Sequence, residues 1–237
     1  MARYILIHGA WGNAASWLRL VPLLEARGHR VEALDLPGHG AHTTPPETVG
    51  MADYVAAVEA ALLDGPPAIL VGHSMGGIVI AQVAANQPAH VIRSVYVAAL
   101  LPRDGESLIS LIMRQETDGI QPAVMRGPLR GTTLLDPALA GPILCQDASA
   151  KDQAGALAGM SAQSNQAQKD GAIIGPNFDQ VSRAYVFCSE DRTVTYALQK
   201  QMVAATPCDP TFTLNCGHMP QLTQARALAD ILLELDE

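Results

Sequence analysis

Short apolar runs alternate with helical stripes over the first hundred residues. Arg3–Ile7 (RYILI) reads as a buried strand. Asn13–Arg27 has helical spacing, with Trp17, Leu20, Leu23 and Leu24 on one face, and Gly28 ends it. His29–Leu34 is a second strand and runs into the turn-rich stretch Asp35–Gly40. Glu47–Leu63 is amphipathic, with Met51, Val55, Val58 and Leu62 on one side, and Asp64-Gly65-Pro66-Pro67 closes it. Ala68–Val71 is a third strand. A second helical pattern follows it until Pro88, and Val91–Leu100 is a fourth strand. Strands separated by helices of this length pair in parallel through right-handed crossovers. The fold class is therefore α/β, a mainly parallel central sheet with helices on both faces.

From Leu101 to Ser182 the pattern changes. Gly, Pro, Ala, Gln and Ser dominate, no clean strand stands out, and short helices are expected around Ser107–Gln115 and Lys151–Gln168. An unstructured linker of that length is unusual inside a compact domain, so 101–182 is expected to be a helical lid inserted into a core made of 1–100 and 183–237. Regularity resumes with the strand Arg183–Cys188, the helix Tyr196–Ala205, the strand Thr211–Asn215 and a terminal helix Gln221–Leu235.

Composition narrows the function. With 237 residues, 49% of them hydrophobic, the chain suits one large α/β domain or one with an insertion. The net charge is −8 and no Lys/Arg stripe exists to neutralise phosphates, which argues against a nucleic-acid partner. No apolar run reaches the roughly 18 residues of a membrane span, and no basic and then apolar leader precedes the first strand. Cys145, Cys188, Cys208 and Cys216 are scattered, without metal-site spacing. A cytoplasmic protein with reduced thiols, no metal and no cofactor is expected.

The chemistry concentrates at Gly72-His73-Ser74-Met75-Gly76, a G-x-S-x-G placed between a strand and a helix. A serine at the tip of so sharp a turn needs neighbours without a β-carbon, here Gly72 and Gly76. Such a serine emerges at the carboxyl edge of the sheet, beside the first amides of a helix. There the Met75 N–H is ready for an oxyanion. A hydroxyl needs an oriented base. His218 follows the last strand and projects from the same edge. His8 and His73 lie there too, in roles that shape the loops, whereas His39, His42 and His90 read as loop or surface residues. The loop after Arg183–Cys188 offers Asp191 as the acid, with Glu190 as its rival. An arrangement drawing the acid from the preceding strand would use Asp104 or Glu106. The second oxyanion donor is expected from the first-strand loop, at Ala10. Trp11, Met75, Leu101 and Met219 are expected to line a substrate pocket, with Leu108, Leu111 and Ile112 from the lid.

With these residues in place, the chain resembles the α/β-hydrolase-fold superfamily. Within it, the resemblance is to the branch of plant methylesterases, hydroxynitrile lyases and related bacterial esterases. It is carried by YILIHGAWGNAASW, LLEARGHRVEALDLPGHG, VGHSMGG, FCSEDRTV and CGHMPQL, and spares the lid. The lyases carry a threonine after the first-strand histidine and a lysine after the catalytic one. Gly9 and Met219 stand at those positions, as in the esterases. Haloalkane dehalogenases, similar in fold, need a carboxylate where Ser74 stands. The resemblance implies hydrolysis of a small apolar or aromatic carboxylic ester through an acyl-enzyme. The same triad also serves lactones, thioesters and carbon–carbon bonds, and a non-catalytic small-molecule receptor is the rival of another class. Related esterases are often dimers, which makes a homodimer the implied assembly.

Overall fold

The computed structural model describes residues 1–236. Its strands are β1 (Arg3–Ile7), β2 (Arg30–Leu34), β3 (Ala68–His73), β4 (Val91–Val97), β5 (Val124–Arg126), β6 (Thr132–Leu135), β7 (Gln163–Ser164), β8 (Ser182–Cys188) and β9 (Thr211–Leu214). Its α-helices are α1 (Val21–Glu25), α2 (Met51–Leu63), α3 (Gly76–Asn86), α4 (Leu108–Ile112), α5 (Pro137–Leu144), α6 (Ala150–Ala158), α7 (Asn165–Lys169), α8 (Tyr196–Ala205), α9 (Pro220–Thr223) and α10 (Ala225–Glu234).

Six strands form one parallel sheet in the order β2-β1-β3-β4-β8-β9. β1 and β3 are buried along their whole length because helices cover both faces. Successive side chains alternate between two cores. Ile5, Ile7 and Leu70 join the cluster built with α2, α3 and α8. Tyr4, Leu6, Ile69 and Val71 join the cluster with Trp17, Leu20, Leu24 and the inner face of α10. The helix after Ser74, α3, is buried from Gly76 to Ala85, since α2 and the short 3-10 turn Pro176–Gln180 pack over it. A helix apolar on every side is stable only in such a position.

The inserted segment departs from the all-helical expectation. It carries a three-stranded antiparallel sheet, β5-β6-β7. Strands of two to four residues leave no period that sequence spacing can register. The expected helix Lys151–Gln168 is α6 and α7 with β7 between them, broken after Gly159. The expected helix Asn13–Arg27 is a 3-10 turn, Ala14–Trp17, followed by the single-turn α1, and Gln224 divides the terminal helix into α9 and α10. The fourth strand stops at Val97 rather than Leu100, because Ala98 turns to φ 44°. Among the described residues no helix is long and apolar enough to cross a membrane.

Candidate active site

Ser74 sits at the tip of the β3–α3 turn with φ 53°. Its backbone is held from both sides: Ser74 N–H donates to Val97 O at 3.3 Å, and Ser74 O accepts from Leu100 N at 3.0 Å and Gly77 N at 3.0 Å. A left-handed non-glycine residue costs about 1–3 kcal/mol and persists only when its surroundings over-determine it. The flanking glycines make the turn possible. A Cβ on Gly72 would lie 2.7 Å from the Gly76 carbonyl, and one on Gly76 would lie 2.6 Å from Ile7 O.

The loop after β8 brings Asp191 to His218. His218 Nδ1 and Asp191 Oδ2 are 2.7 Å apart with both side chains almost wholly buried. The other Asp191 oxygen accepts from Thr193 N at 2.7 Å and Val194 N at 2.9 Å. Gln199, on α8, donates to Asp191 Oδ2 at 3.1 Å. With every lone pair occupied, the carboxylate has one orientation, and the imidazole, bonded through Nδ1, is held among the residues that line the cavity. Of the rival acids, Glu190 is exposed. Asp104 accepts from Ile174 N, and Glu106 pairs with Arg103 and Arg114. None of the three meets His218.

Two further buried histidines shape the loops. His73 donates from Nε2 to the His218 carbonyl at 2.7 Å, so that its Nδ1 accepts from Gln221 at 3.3 Å. Burial pushes its pKa well below the usual value, and the neighbouring His218 adds to this. His8 donates from Nδ1 to Gly9 O at 2.8 Å and accepts from Leu36 N at 3.2 Å. Burial lowers its pKa to about 4, against the raising effect of the Gly9 bond. His39, expected at the surface, is wholly buried beside Tyr54, with its pKa lowered by burial to about 3. The neutral imidazole is packed under the first-strand loop, a position that its glycine-rich sequence neighbourhood conceals.

A cavity of about 40 Å³ connects these parts; Ala10, Trp11, Ser74, Thr193, His218 and Met219 line it. The Ala10 and Met75 amides have no acceptor among the described residues. Met75 precedes the first turn of α3, where N–H groups lack intrahelical partners. The cavity shares Gly12, Ser16, Met160 and Met219 with a groove of about 340 Å³ between the Ala14–Trp17 turn and α6. Arg19 spans this groove, bonding Leu222 O at 2.9 Å and the Asp152 carboxylate.

Of the expected pocket walls, Trp11 and Met219 line the cavity, whereas Leu101 and Met75 do not; the Met75 side chain is wholly buried in the core on the α3 side. Leu101 is buried in the core on the α3 side, its N–H directed to Met202 Sδ at 3.4 Å. Leu108, Leu111 and Ile112 pack against the same core rather than the cavity. The inserted segment contributes Leu144 and Met160 instead. Leu144 joins Trp11 and Met219 in a separate small core under that segment, with Met160 packed against it. Sequence reading also missed Gln199, although a polar residue between Leu198 and Met202 on the buried face of α8 was a usable signal. No three histidine, cysteine, aspartate or glutamate side chains among the described residues converge as a metal site requires.

Comparison with known proteins agrees with this architecture. The esterase PIR7B of Oryza sativa subsp. japonica is 29% identical over 253 residues, covering 98% of this chain and 94% of that protein. The crystal structure of polyneuridine aldehyde esterase superposes with a TM-score of 0.89 at 24% identity, over the full length of both chains. A pyrethroid hydrolase from Sphingobium faniae superposes with a TM-score of 0.84 at 25% identity, covering 98% of this chain and 96% of that one. The Alpha/beta hydrolase family description matches residues 4–231, and the chain belongs to that family.

Proposed function

We propose that the protein is a cofactor-independent serine hydrolase of carboxylic esters. One observation carries this reading: a strained, largely buried Ser74 shares a small cavity with a His218 whose Nδ1 is committed to a fully hydrogen-bonded Asp191. Ser74 Oγ attacks the ester carbonyl carbon while His218 Nε2 takes the hydroxyl proton. The carbonyl oxygen becomes an oxyanion held by the Ala10 and Met75 amides, next to the positive end of α3. Asp191 holds the imidazole tautomer and stabilises the imidazolium. The alkoxide leaves with the proton from His218, giving the acyl-enzyme. Water attacks the acyl carbon as His218 takes its proton, and Ser74 departs reprotonated.

Cavity shape supports an unsymmetrical ester. The space beside Ser74 takes one short substituent, and the adjoining apolar groove takes a longer or aromatic arm. In this reading the segment 101–182 acts as the lid, since Leu144 and Met160 close the cavity and the Arg19–Asp152 pair fastens α6 to the core. Gly9 supports hydrolysis over the cyanohydrin chemistry of related lyases. A side chain there would meet Ser74 Cβ at 2.8 Å, which leaves no room for a threonine, and Met219 offers no cation for cyanide.

The test is turnover of p-nitrophenyl esters from acetate to octanoate by the wild type and Ser74→Ala. Loss of the nucleophile should lower kcat by about 10⁴-fold or more, leaving the protein folded. Equal turnover by both proteins would rule out the mechanism. Labelling of Ser74 by a fluorophosphonate without ester turnover would keep the nucleophile and move the substrate to a lactone, thioester or carbon–carbon bond.

A further inference from the structure

Gly9–Trp11 is the loop that must present the Ala10 N–H, and two sets of contacts hold it. The Gly9–Ala10 peptide is trans, so its N–H points away from its carbonyl. Gly9 O is occupied on the far side by His8 Nδ1 at 2.8 Å and Gly12 N at 3.1 Å, which turns the Ala10 N–H toward the cavity. Downstream, Trp11 has φ 60°, a second strained non-glycine residue.

All three polar groups of Trp11 are held by the inserted segment. Its N–H donates to Gln163 Oε1 at 3.2 Å, its carbonyl accepts from Ser161 N at 2.7 Å, and its indole N–H donates to Thr133 Oγ1 at 3.2 Å. Gln163 lies on β7, paired with Thr133 of β6, and is wholly buried. Its Nε2 donates to Tyr54 OH at 3.1 Å and to Ser164 O at 3.2 Å. Tyr54, accepting from Gln163, gives its own proton to His39 Nε2 at 3.1 Å. His39 then carries its proton on Nδ1 and donates to Gly12 O at 3.0 Å. Burial keeps His39 neutral, which preserves this single direction of donation at ordinary pH. One side chain thus holds both ends of the Trp11–Gly12 turn, one directly and one through two aromatic rings.

We propose that Gln163 is a positioning residue for the oxyanion loop: its amide holds the Trp11 N–H and, through Tyr54 and His39, the Gly12 carbonyl, and so aims the Ala10 N–H at the reacting carbonyl. This rests on the ester-hydrolase reading above. It makes the 101–182 segment part of transition-state stabilisation as well as of substrate selection. A glutamine that only satisfies buried polar groups would support folding and leave each folded molecule fully active.

The test compares wild type, Gln163→Met and Tyr54→Phe on p-nitrophenyl acetate, with active sites counted by fluorophosphonate titration of Ser74. Gln163→Met should lower kcat per titrated site ten- to a hundredfold with KM within twofold. It should weaken a trifluoromethyl ketone, which forms a tetrahedral adduct on Ser74, by a similar factor. Tyr54→Phe keeps the Trp11 contact and breaks only the relay, so a several-fold fall in kcat is expected; it also decides the matter if Gln163→Met does not fold. Wild-type kcat per titrated site in either folded variant, with only a lowered Tm, overturns the proposal while the ester reading stands. A wild type that neither turns over nor is labelled overturns both.

Discussion

A single methyl group at Gly9 should cripple catalysis. A Cβ there would lie 2.8 Å from Ser74 Cβ, 3.3 Å from Ser74 Oγ and 3.2 Å from His73 Nδ1. Carbon atoms in contact sit about 3.5–4.0 Å apart, so the overlap with Ser74 is about 0.7 Å or more. Neither neighbour yields easily. Ser74 is fixed by three backbone hydrogen bonds in a strained conformation, and His73 is bonded through both ring nitrogens. The first-strand loop must retreat instead, carrying the Ala10 amide away from the oxyanion position. Overpacking of this kind costs about 1–3 kcal/mol of stability, and one lost oxyanion donor costs about 10²–10³ in kcat. Gly9→Ala should therefore lower the Tm by several degrees and kcat on p-nitrophenyl acetate by at least tenfold, with smaller change in KM. The assay is steady-state kinetics beside a thermal melt followed by circular dichroism. A Gly9→Ala variant with wild-type kcat would refute the reasoning, because the loop would then not depend on close contact with Ser74.

Gln199→Leu removes the donor to Asp191 Oδ2 and strands the buried Cys188 N–H, which donates to Gln199 Oε1 at 3.0 Å, and the Val194 carbonyl. Each stranded group costs about 1–3 kcal/mol, so chemical denaturation should report a loss of several kcal/mol, together with reduced kcat; unchanged stability would contradict the contact. Stability should also fall on mild acidification. His8 and His39, with pKa values lowered to about 4 and about 3, stay neutral in the fold, whereas the unfolded chain takes up their protons near pH 6.5. Between those limits the unfolded state binds more protons, so stability rises with pH there. The contribution is complete above about pH 6.5 and is lost toward pH 4 at roughly 1 kcal/mol per pH unit for each histidine. Thermal melts from pH 7.5 to 5 should show this slope, and His39→Gln should make it shallower; parallel profiles for the two proteins would exclude His39 as a source.

The residues of the proposed catalytic constellation were legible because their signals are local. Ser74 is announced by the two glycines that its turn requires, and His218 and Asp191 by their places on the loops after β9 and β8. The main sheet was legible for a similar reason: its four inner strands are short, mainly apolar runs bounded by turn residues, and the edge strands β2 and β9 alternate polar and apolar residues. The inserted segment was not. β5, β6 and β7 are too short for a period of two to emerge, and Leu108 and Leu111 are as apolar as the true cavity walls Leu144 and Met160. Hydrophobicity states that a side chain is buried, not which core receives it.

The sequence by itself determined the α/β architecture, the turn that carries Ser74 and the order in which Ser74, Asp191 and His218 occur. Backbone sterics and hydrophobic periodicity act over a few residues, and these features depend on little else. Only the tertiary structure decided that Gln199 bonds Asp191, that Gln163, 152 residues from Trp11, bonds the first-strand loop, and that His39 is buried against Tyr54 rather than a surface group. Those contacts join side chains whose pairing is set by how separate elements pack, and a buried polar group shows its partner only once the chain has closed around it.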